Sequence, residues 1–328
     1  MSSEREMREA SGRNGQGPTG AIRLCLPATS ANLGSGFDAA AVAFDFFLKI
    51  EAQAAQEFSI SATGQDVEQC GRLENNLILE TYKGLLAANG RPVLPLALRL
   101  VNDIPLGMGC GSSAAARLAA IQLAVHFGRL DWDARRVLEE ANALEGHPDN
   151  VAACWLGGFV CAVCEGRQVH VARVDPPEAW RVILALPAEP LATSKARAVL
   201  PASYARRDVV ANLQSASVLG LAFAQARGDL LRMAMKDRIH QPYRASFCPL
   251  LPLLLPLAGR DGILGVALSG AGPAVLLVVD SETNLKPACS AIEDAIAKAP
   301  TDRISVALNI CRFSPQGAQQ RMDLSFGQ

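Results

Sequence analysis

The sequence predicts an α+β fold in two lobes. Three observations lead there. Half of the 328 residues are hydrophobic, enough to fill one large core or two smaller ones. The first half intersperses short strands with three helical stretches. The second half closes with strand, glycine turn, strand, helix and strand, the order of a split β-α-β unit, which predicts a ferredoxin-like C-terminal lobe.

Taken in order, residues 1–20 are polar and charged with no apolar core. They read as a disordered tail and not as a secretory signal. Ile22 to Leu26 and Val42 to Gln53 read as strands, and Phe58 to Ala62 as a shorter one. Leu77 to Ala88 has helical spacing and stops at Asn89-Gly90. Leu96 to Val101 alternates as a strand does and runs on to Pro105. Ser112 to Phe127 is a helix whose few polar residues (Arg117, Gln122, His126) predict burial on nearly all sides. Trp132 to Leu144 forms a further helix with Asp131 as N-cap. Gly157 to Val174 reads as two strands joined at Glu165-Gly166. Asp175-Pro176-Pro177 marks a boundary, so the domains are drawn as 21–180 and 181–328. Beyond it, Val182 to Leu186 is a strand ended by Pro187, and Arg207 to Ala226 and Leu230 to His240 are helical. Ile263 to Leu268 and Ala274 to Val279 are strands flanking the glycine turn. A helix over Leu285 to Ala297 and a strand over Ile304 to Ile310 complete the unit.

Charge narrows the function. The net charge is −1, so no bulk attraction to nucleic acid or to a membrane is expected. The longest apolar run, Cys248 to Ala258, contains three prolines and is too short to span a bilayer. The nine cysteines are odd in number, and several (Cys25, Cys154, Cys248, Cys289, Cys311) sit inside apolar runs. That usage predicts reduced thiols in a cytoplasmic protein. Cys161 and Cys164 have metal or redox spacing, but on a strand they would point to opposite faces.

The segment richest in chemistry is Pro105-Leu106-Gly107-Met108-Gly109-Cys110-Gly111-Ser112-Ser113-Ala114. Alternating glycines leading into a helix bare backbone N–H groups at its positive end, which favours a phosphate. Glycine is expected here because it lets the backbone approach the anion closely. The two hydroxyls can cap the helix, touch phosphate oxygens or reach a magnesium ion. No lysine precedes Ser112, so this is not a Walker A loop. The spacing G-x-G-x-G is not the dinucleotide fingerprint either.

The loop resembles the phosphate-binding motif of the GHMP kinases, the family of galactokinase, homoserine kinase and mevalonate kinase. Three more segments carry the resemblance in the family's order. Pro27-Ala28-Thr29-Ser30-Ala31-Asn32-Leu33-Gly34-Ser35-Gly36-Phe37-Asp38 is similar to the first motif in its homoserine kinase form. Glu145-Gly146-His147-Pro148-Asp149-Asn150-Val151-Ala152 is similar to that branch's E-G-H-x-D-N-V-A segment. Leu268-Ser269-Gly270-Ala271-Gly272-Pro273 is similar to the third motif.

The resemblance implies the two-lobed GHMP kinase fold, with a ribosomal protein S5 domain 2-like N-terminal lobe and a ferredoxin-like C-terminal lobe. It implies ATP as donor with Mg2+, and L-homoserine as the small-molecule acceptor on the route to threonine. It assigns Pro105, Gly107, Gly109, Cys110, Gly111, Ser112, Ser113 and Ala114 to the nucleotide. Ser112 and Glu145 would hold the metal, with Glu140 in reserve. Asp149, Asn150 and Arg197 would serve catalysis, Asp149 as a base or as an orienting group. Asn32, Asp38, His147, Thr193, Arg197 and Arg244 would bind the acceptor: Asn32 and Asp38 on its ammonium and hydroxyl side, the arginines on its carboxylate, which a planar guanidinium suits. The third turn would pack against the glycine loop. The family commonly has leucine where Cys110 stands, and this thiol is expected to be open to alkylation. Gln241-Pro242 stands where E-P is common, which bears on the loop carrying Arg244. Many members are homodimers, and the resemblance extends that expectation to this chain.

Overall fold

The computed structural model describes residues 20–299 and 305–320. The tail drawn over residues 1–20 and the start of the last strand at Ile304 lie almost wholly outside them.

The first sheet has six strands: β1 (Ile22–Asn32), β2 (Gly36–Ala54), β3 (Ser59–Gly64), β4 (Leu96–Asn102), β5 (Phe159–Glu165) and β6 (Gln168–Val174). Their order is β3-β4-β2-β5-β6, with β1 also paired to β2. Only β3 and β4 run parallel. The first motif, expected between strands, is itself strand and turn. β1 runs to Asn32 and β2 begins at Gly36. Asn32, Leu33 and Gly34 take positive φ of 71°, 46° and 80° to reverse the chain.

Helices α1 (Val67–Cys70), α2 (Leu77–Ala88), α3 (Ser112–Gly128), α4 (Ala134–Glu145) and α5 (Asp149–Leu156) accompany this sheet. α3 is enclosed as its composition predicts: Leu118, Ile121 and Leu123 are fully buried and Phe127 nearly so. Burying each such side chain is worth about 1.5–3 kcal/mol, and this holds the helix whose first turn builds the glycine loop. α4 starts later than expected. Asp133, not Asp131, is its cap, its carboxylate accepting from Arg136 N at 2.7 Å. α5 was not legible: it is eight residues long and opens at Pro148 without a side-chain cap.

The second sheet comprises β7 (Arg181–Pro187), β8 (Ile263–Leu268), β9 (Val275–Val279) and β10 (Val306–Cys311), antiparallel in the order β10-β7-β9-β8. Numbered within the lobe this is 4-1-3-2, the ferredoxin-like order. α6 (Thr193–Ala198), α7 (Arg206–Ala224), α8 (Gly228–Ala234), α9 (Gln241–Arg244) and α10 (Leu250–Leu254) lie between β7 and β8, and α11 (Leu285–Ala297) joins β9 to β10. The helix expected over Leu230–His240 ends at Ala234. Beyond it the Asp237 carboxylate accepts from the N–H groups of Ile239, His240 and Gln241, a local turn that competes with the helix.

The lobes share a core. Phe159 of β5 stacks on Phe223 of α7 at 4.2 Å, and Trp180 meets Phe223 edge-on at 5.4 Å. The segment after β10 returns to the first sheet, where Ser314 N donates to Ala43 O and Gly158 N to Ser314 O, both at 2.8 Å. Among the described residues no helix is long and apolar enough to cross a membrane.

Candidate active site

The glycine loop turns on Gly107, Gly109 and Gly111, at φ of 69°, 77° and 72°. Its carbonyls are tied into the protein. Gly107 O accepts from Leu191 N (3.0 Å) and Cys110 O from Thr29 N (3.0 Å). Gly109 O accepts from Ser269 Oγ at 2.8 Å. Its amides are not tied: among the described residues, no N–H from Gly107 to Ala114 donates within the protein, and the first to do so is Ala115, to Gly111 O at 3.1 Å. A run of free amides at the head of a 17-residue helix is a cradle for an anion.

Packing gives the glycines a second reason beside the one expected. A Cβ at Gly109 would lie 2.0 Å from Ser269 O, and one at Gly111 would lie 1.9 Å from Thr29 Oγ1. Packing against β1 and the third turn by itself excludes side chains there. Cys110 corrects another expectation: it is buried, and burial pushes its thiol up to about 12 despite a hydrogen bond from Ser269, so it is closed to alkylation.

Ser113 Oγ donates to Glu145 Oε2 at 2.9 Å, and Arg117 Nε lies 2.8 Å from the same oxygen. Ser112 lines the same cleft without reaching Glu145. Glu140 is engaged elsewhere by Arg136 (2.9 Å) and Arg167 (3.0 Å). Of the two glutamates, Glu145 is therefore the one at the loop.

At the head of α5, Asp149 is 1% exposed. Its Oδ1 accepts from Asn150 N and lies on His147 Nδ1, both at 2.6 Å. Burial disfavours the His147 cation, but the hydrogen bond and charge of Asp149 outweigh it and raise the imidazole above its ordinary value. Thr29 Oγ1 donates to Asn150 Oδ1 at 2.7 Å, tying α5 to β1.

In the same cleft, Arg197 grips Asp38 with two bonds, 3.0 and 2.6 Å long. The pair spans this cleft of about 80 Å³. Asp38 also has a positive φ of 54°, and its N–H donates to Asn32 Oδ1 (2.9 Å), while Asn32 Nδ2 donates to Gly270 O (2.8 Å). Asn32 thus braces the first motif against the third turn. Arg244 is 1% exposed. Its Nε donates to Ala196 O at 3.0 Å, and Nη1 lies 3.0 Å from His240 Nδ1. Gln241 sits comfortably where the family has an acid: its Oε1 accepts from Leu268 N at 2.7 Å.

One cleft therefore brings together Asn32, Asp38, Gly107, Gly109, Cys110, Gly111, Ser112, Ser113, Glu145, His147, Asp149, Asn150, Arg197 and Arg244. Pro105 and Ala114 flank the loop without lining the cleft. Thr193 opens α6, and its side chain lies outside what is described. The third turn packs as expected: Ser269 Oγ lies 2.9 Å from Ser30 Oγ, and Gly270 N donates to Ala31 O at 3.1 Å. Sequence reasoning missed Thr29, Arg117, Phe37 and His240. It also missed a cavity of about 260 Å³ walled by Leu77, Ile78, Leu100 and Ile104, which shares Gly107, Ser112 and Ser113 with the cleft. Thr29 and Phe37 stand inside a recognised motif; nothing in the sequence marks the others.

Fold and site together define a GHMP kinase. The GHMP kinases N terminal domain matches residues 76–158, and the GHMP kinases C terminal domain matches residues 221–298. The homoserine kinase of Solibacter usitatus is 40% identical over 83% of this chain and 89% of its own, and that of Deinococcus radiodurans 36% over 86% and 92%. Within the family, the chain belongs to the homoserine kinases. The fold is also that of the homoserine kinase from Cytophaga hutchinsonii, at a TM-score of 0.75 and 24% identity over 93% of this chain and 98% of that one. An L. major mevalonate kinase, solved in complex with R-mevalonate, shares it at 0.65 and 13% over 90% and 97%.

Proposed function

We propose that the protein transfers the γ-phosphoryl group of ATP to the side-chain hydroxyl of L-homoserine, giving O-phospho-L-homoserine in threonine biosynthesis. One observation carries this reading: a single cleft holds both the free amides of the glycine loop and a carboxylate with two guanidinium groups. The amides suit a polyphosphate. The acid and the arginines suit an amino acid's two charges.

The residues fit the donor. The amides of Gly107 to Ala114 hold its phosphates, and the apolar cavity beside Gly107 is open to its base. The Ser112 and Ser113 hydroxyls with Glu145 are hard oxygen donors of the kind Mg2+ takes alongside phosphate and water, and Arg117 fixes the Glu145 carboxylate. When bound, Mg-ATP supplies the transferable group and neutralises charge developing on it.

The protein's own part is positioning. The substrate ammonium goes to Asp38 and its carboxylate to Arg197 and Arg244, so one internal ion pair opens and three pairs to the ligand replace it. Arg197 is 38% and Asp38 32% exposed at the side chain, so water already screens the pair, and the new pairs to the ligand offset its opening. His147 borders the hydroxyl and holds Asp149 Oδ1, leaving Oδ2 to receive the substrate hydroxyl's hydrogen bond. In a loose transition state the proton leaves late, so Asp149 contributes aim more than basicity. Asn150 keeps Asp149 registered against β1 through Thr29.

The test is ADP release from Mg-ATP with L-homoserine, mevalonate, shikimate or galactose as acceptor. Homoserine should be fastest by a wide margin. Faster turnover of an acceptor without an amine would overturn the proposal.

A further inference from the structure

His240 lies in none of the recognised motifs, yet it is fully buried beside the acceptor cleft. Its Nε2 is 2.8 Å from Gly34 O and its Nδ1 is 3.0 Å from Arg244 Nη1. A carbonyl can only accept, so Nε2 carries the proton. A guanidinium can only donate, so Nδ1 is the acceptor. The ring is therefore neutral and held in one tautomer. Burial pushes its pKa down to about 4, against the pull of Asp237 and with the push of Arg244.

The surroundings fix this ring. Phe37 stacks on it at 5.2 Å and 24°. Asp237, its carboxylate as fully enclosed as the imidazole, accepts from His240 N at 2.9 Å and so anchors the backbone. Arg244 is thereby gripped on two edges: Nε by Ala196 O at 3.0 Å, and Nη1 by His240, with Gly270 O at 3.4 Å. Its plane lies over Phe37 at 5.4 Å. Among the described residues Nη2 has no hydrogen-bond partner, and Arg244 lines the cleft.

We propose that His240 is a positioning residue that holds Arg244 through Nδ1, keeping Nη2 for the acceptor's carboxylate and so setting the preference for acceptors that bear one. This rests on the function proposed above. The first motif, through Gly34 and Phe37, thus reaches the carboxylate clamp as well as Asp38.

The test compares L-homoserine with 3-aminopropan-1-ol, the same molecule with hydrogen in place of the carboxylate. The readout is the ratio of their kcat/KM values. In His240→Gln the amide nitrogen can still reach Gly34 O, but no acceptor stands at Nδ1; in His240→Asn the amide oxygen stands near Nδ1. The ratio should fall about tenfold or more in His240→Gln, mostly through the homoserine KM, and recover to within about threefold of wild type in His240→Asn. An unchanged ratio in His240→Gln, or equal losses on both acceptors in both variants, overturns the inference. A wild-type enzyme with no preference for homoserine overturns the functional reading instead. Histidine nitrogen NMR of the wild-type protein needs no variant at this position, with His126→Gln and His170→Gln serving for assignment. His240 should appear as the neutral Nε2–H tautomer at pH 7, and its Nδ1 signal should shift with homoserine but not with 3-aminopropan-1-ol. A protonated ring, the other tautomer, or equal shifts with both acceptors overturns the inference.

Discussion

Gly109→Ala isolates the packing that shapes the glycine loop. The new Cβ would lie 2.0 Å from Ser269 O and 3.0 Å from Gly272 O, both backbone atoms. Neither can turn aside as a side chain would, so the loop must withdraw by about 1.4 Å to restore ordinary contact. Withdrawal breaks the 2.8 Å bond from Ser269 Oγ to Gly109 O and strains the 3.0 Å bond from Thr29 N to Cys110 O. Each such bond is worth about 0.5–1.5 kcal/mol. Alanine at a φ of 77° adds roughly 1–2 kcal/mol of backbone strain. The expected destabilisation is about 2–5 kcal/mol. Gly90→Ala is the control: its φ is 63°, but nothing lies within 4 Å of the added carbon. It should cost no more than the strain, partly offset by a stiffer unfolded chain. Urea unfolding of both variants gives the difference, and calorimetry with Mg-ATP gives the functional loss. A 1 Å misplacement of a binding loop can cost on the order of 10²-fold in activity. If Gly109→Ala unfolds with the same free energy as Gly90→Ala and binds Mg-ATP like wild type, the packing explanation is wrong.

Other outcomes follow from the same geometry. Arg244→Ala should raise the KM for homoserine about ten- to a hundredfold, and that for ATP far less, because a charge-assisted bond is worth about 1.5–3 kcal/mol; equal rises would contradict the clamp. Asp38→Asn should likewise act on homoserine, and steady-state kinetics with each substrate varied would separate the effects. His147 carries a folded-state pKa above the ordinary 6.5. Its pairing with Asp149 should therefore contribute fully below about pH 6.5 and fade as the pH rises through the raised value. Urea unfolding of wild type and His147→Gln across that window should show the gap narrowing with pH, and a constant or widening gap would refute it. Iodoacetamide should label exposed Cys164 in the native protein while sparing buried Cys110, as peptide mapping would report; rapid labelling of Cys110 would mean that the loop opens.

The parts of the site legible in the sequence are those where the backbone itself is unusual. Gly107, Gly109 and Gly111 take conformations that few other residues tolerate, and Gly34 has no room for a Cβ against Met235 O, 1.9 Å away. Such positions write themselves into motifs. Composition likewise exposed the enclosed α3, and the succession of elements exposed the ferredoxin-like second lobe. Pairings were hidden because they join distant segments. Nothing local says that Arg197 grips Asp38, 159 positions away, or that His240 meets Gly34, 206 positions away. Cys110 was misjudged for the same reason: its enclosure comes from the third turn, not from its neighbours in the chain. The end of Leu230–His240 as a helix was lost to Asp237, whose side chain offers the backbone another partner.

The bridge from Ser269 to Ser30 spans 239 positions and that from Ser269 to Gly109 spans 160. During synthesis, the nucleotide loop therefore emerges long before the strut that braces it. A nascent chain halted ahead of Ser269 would already hold β1, β2 and α3, yet lack the support that keeps the amides aligned. Catalytic competence should arrive abruptly, late in translation, once the turn after β8 has cleared the ribosome and closed onto its two older partners.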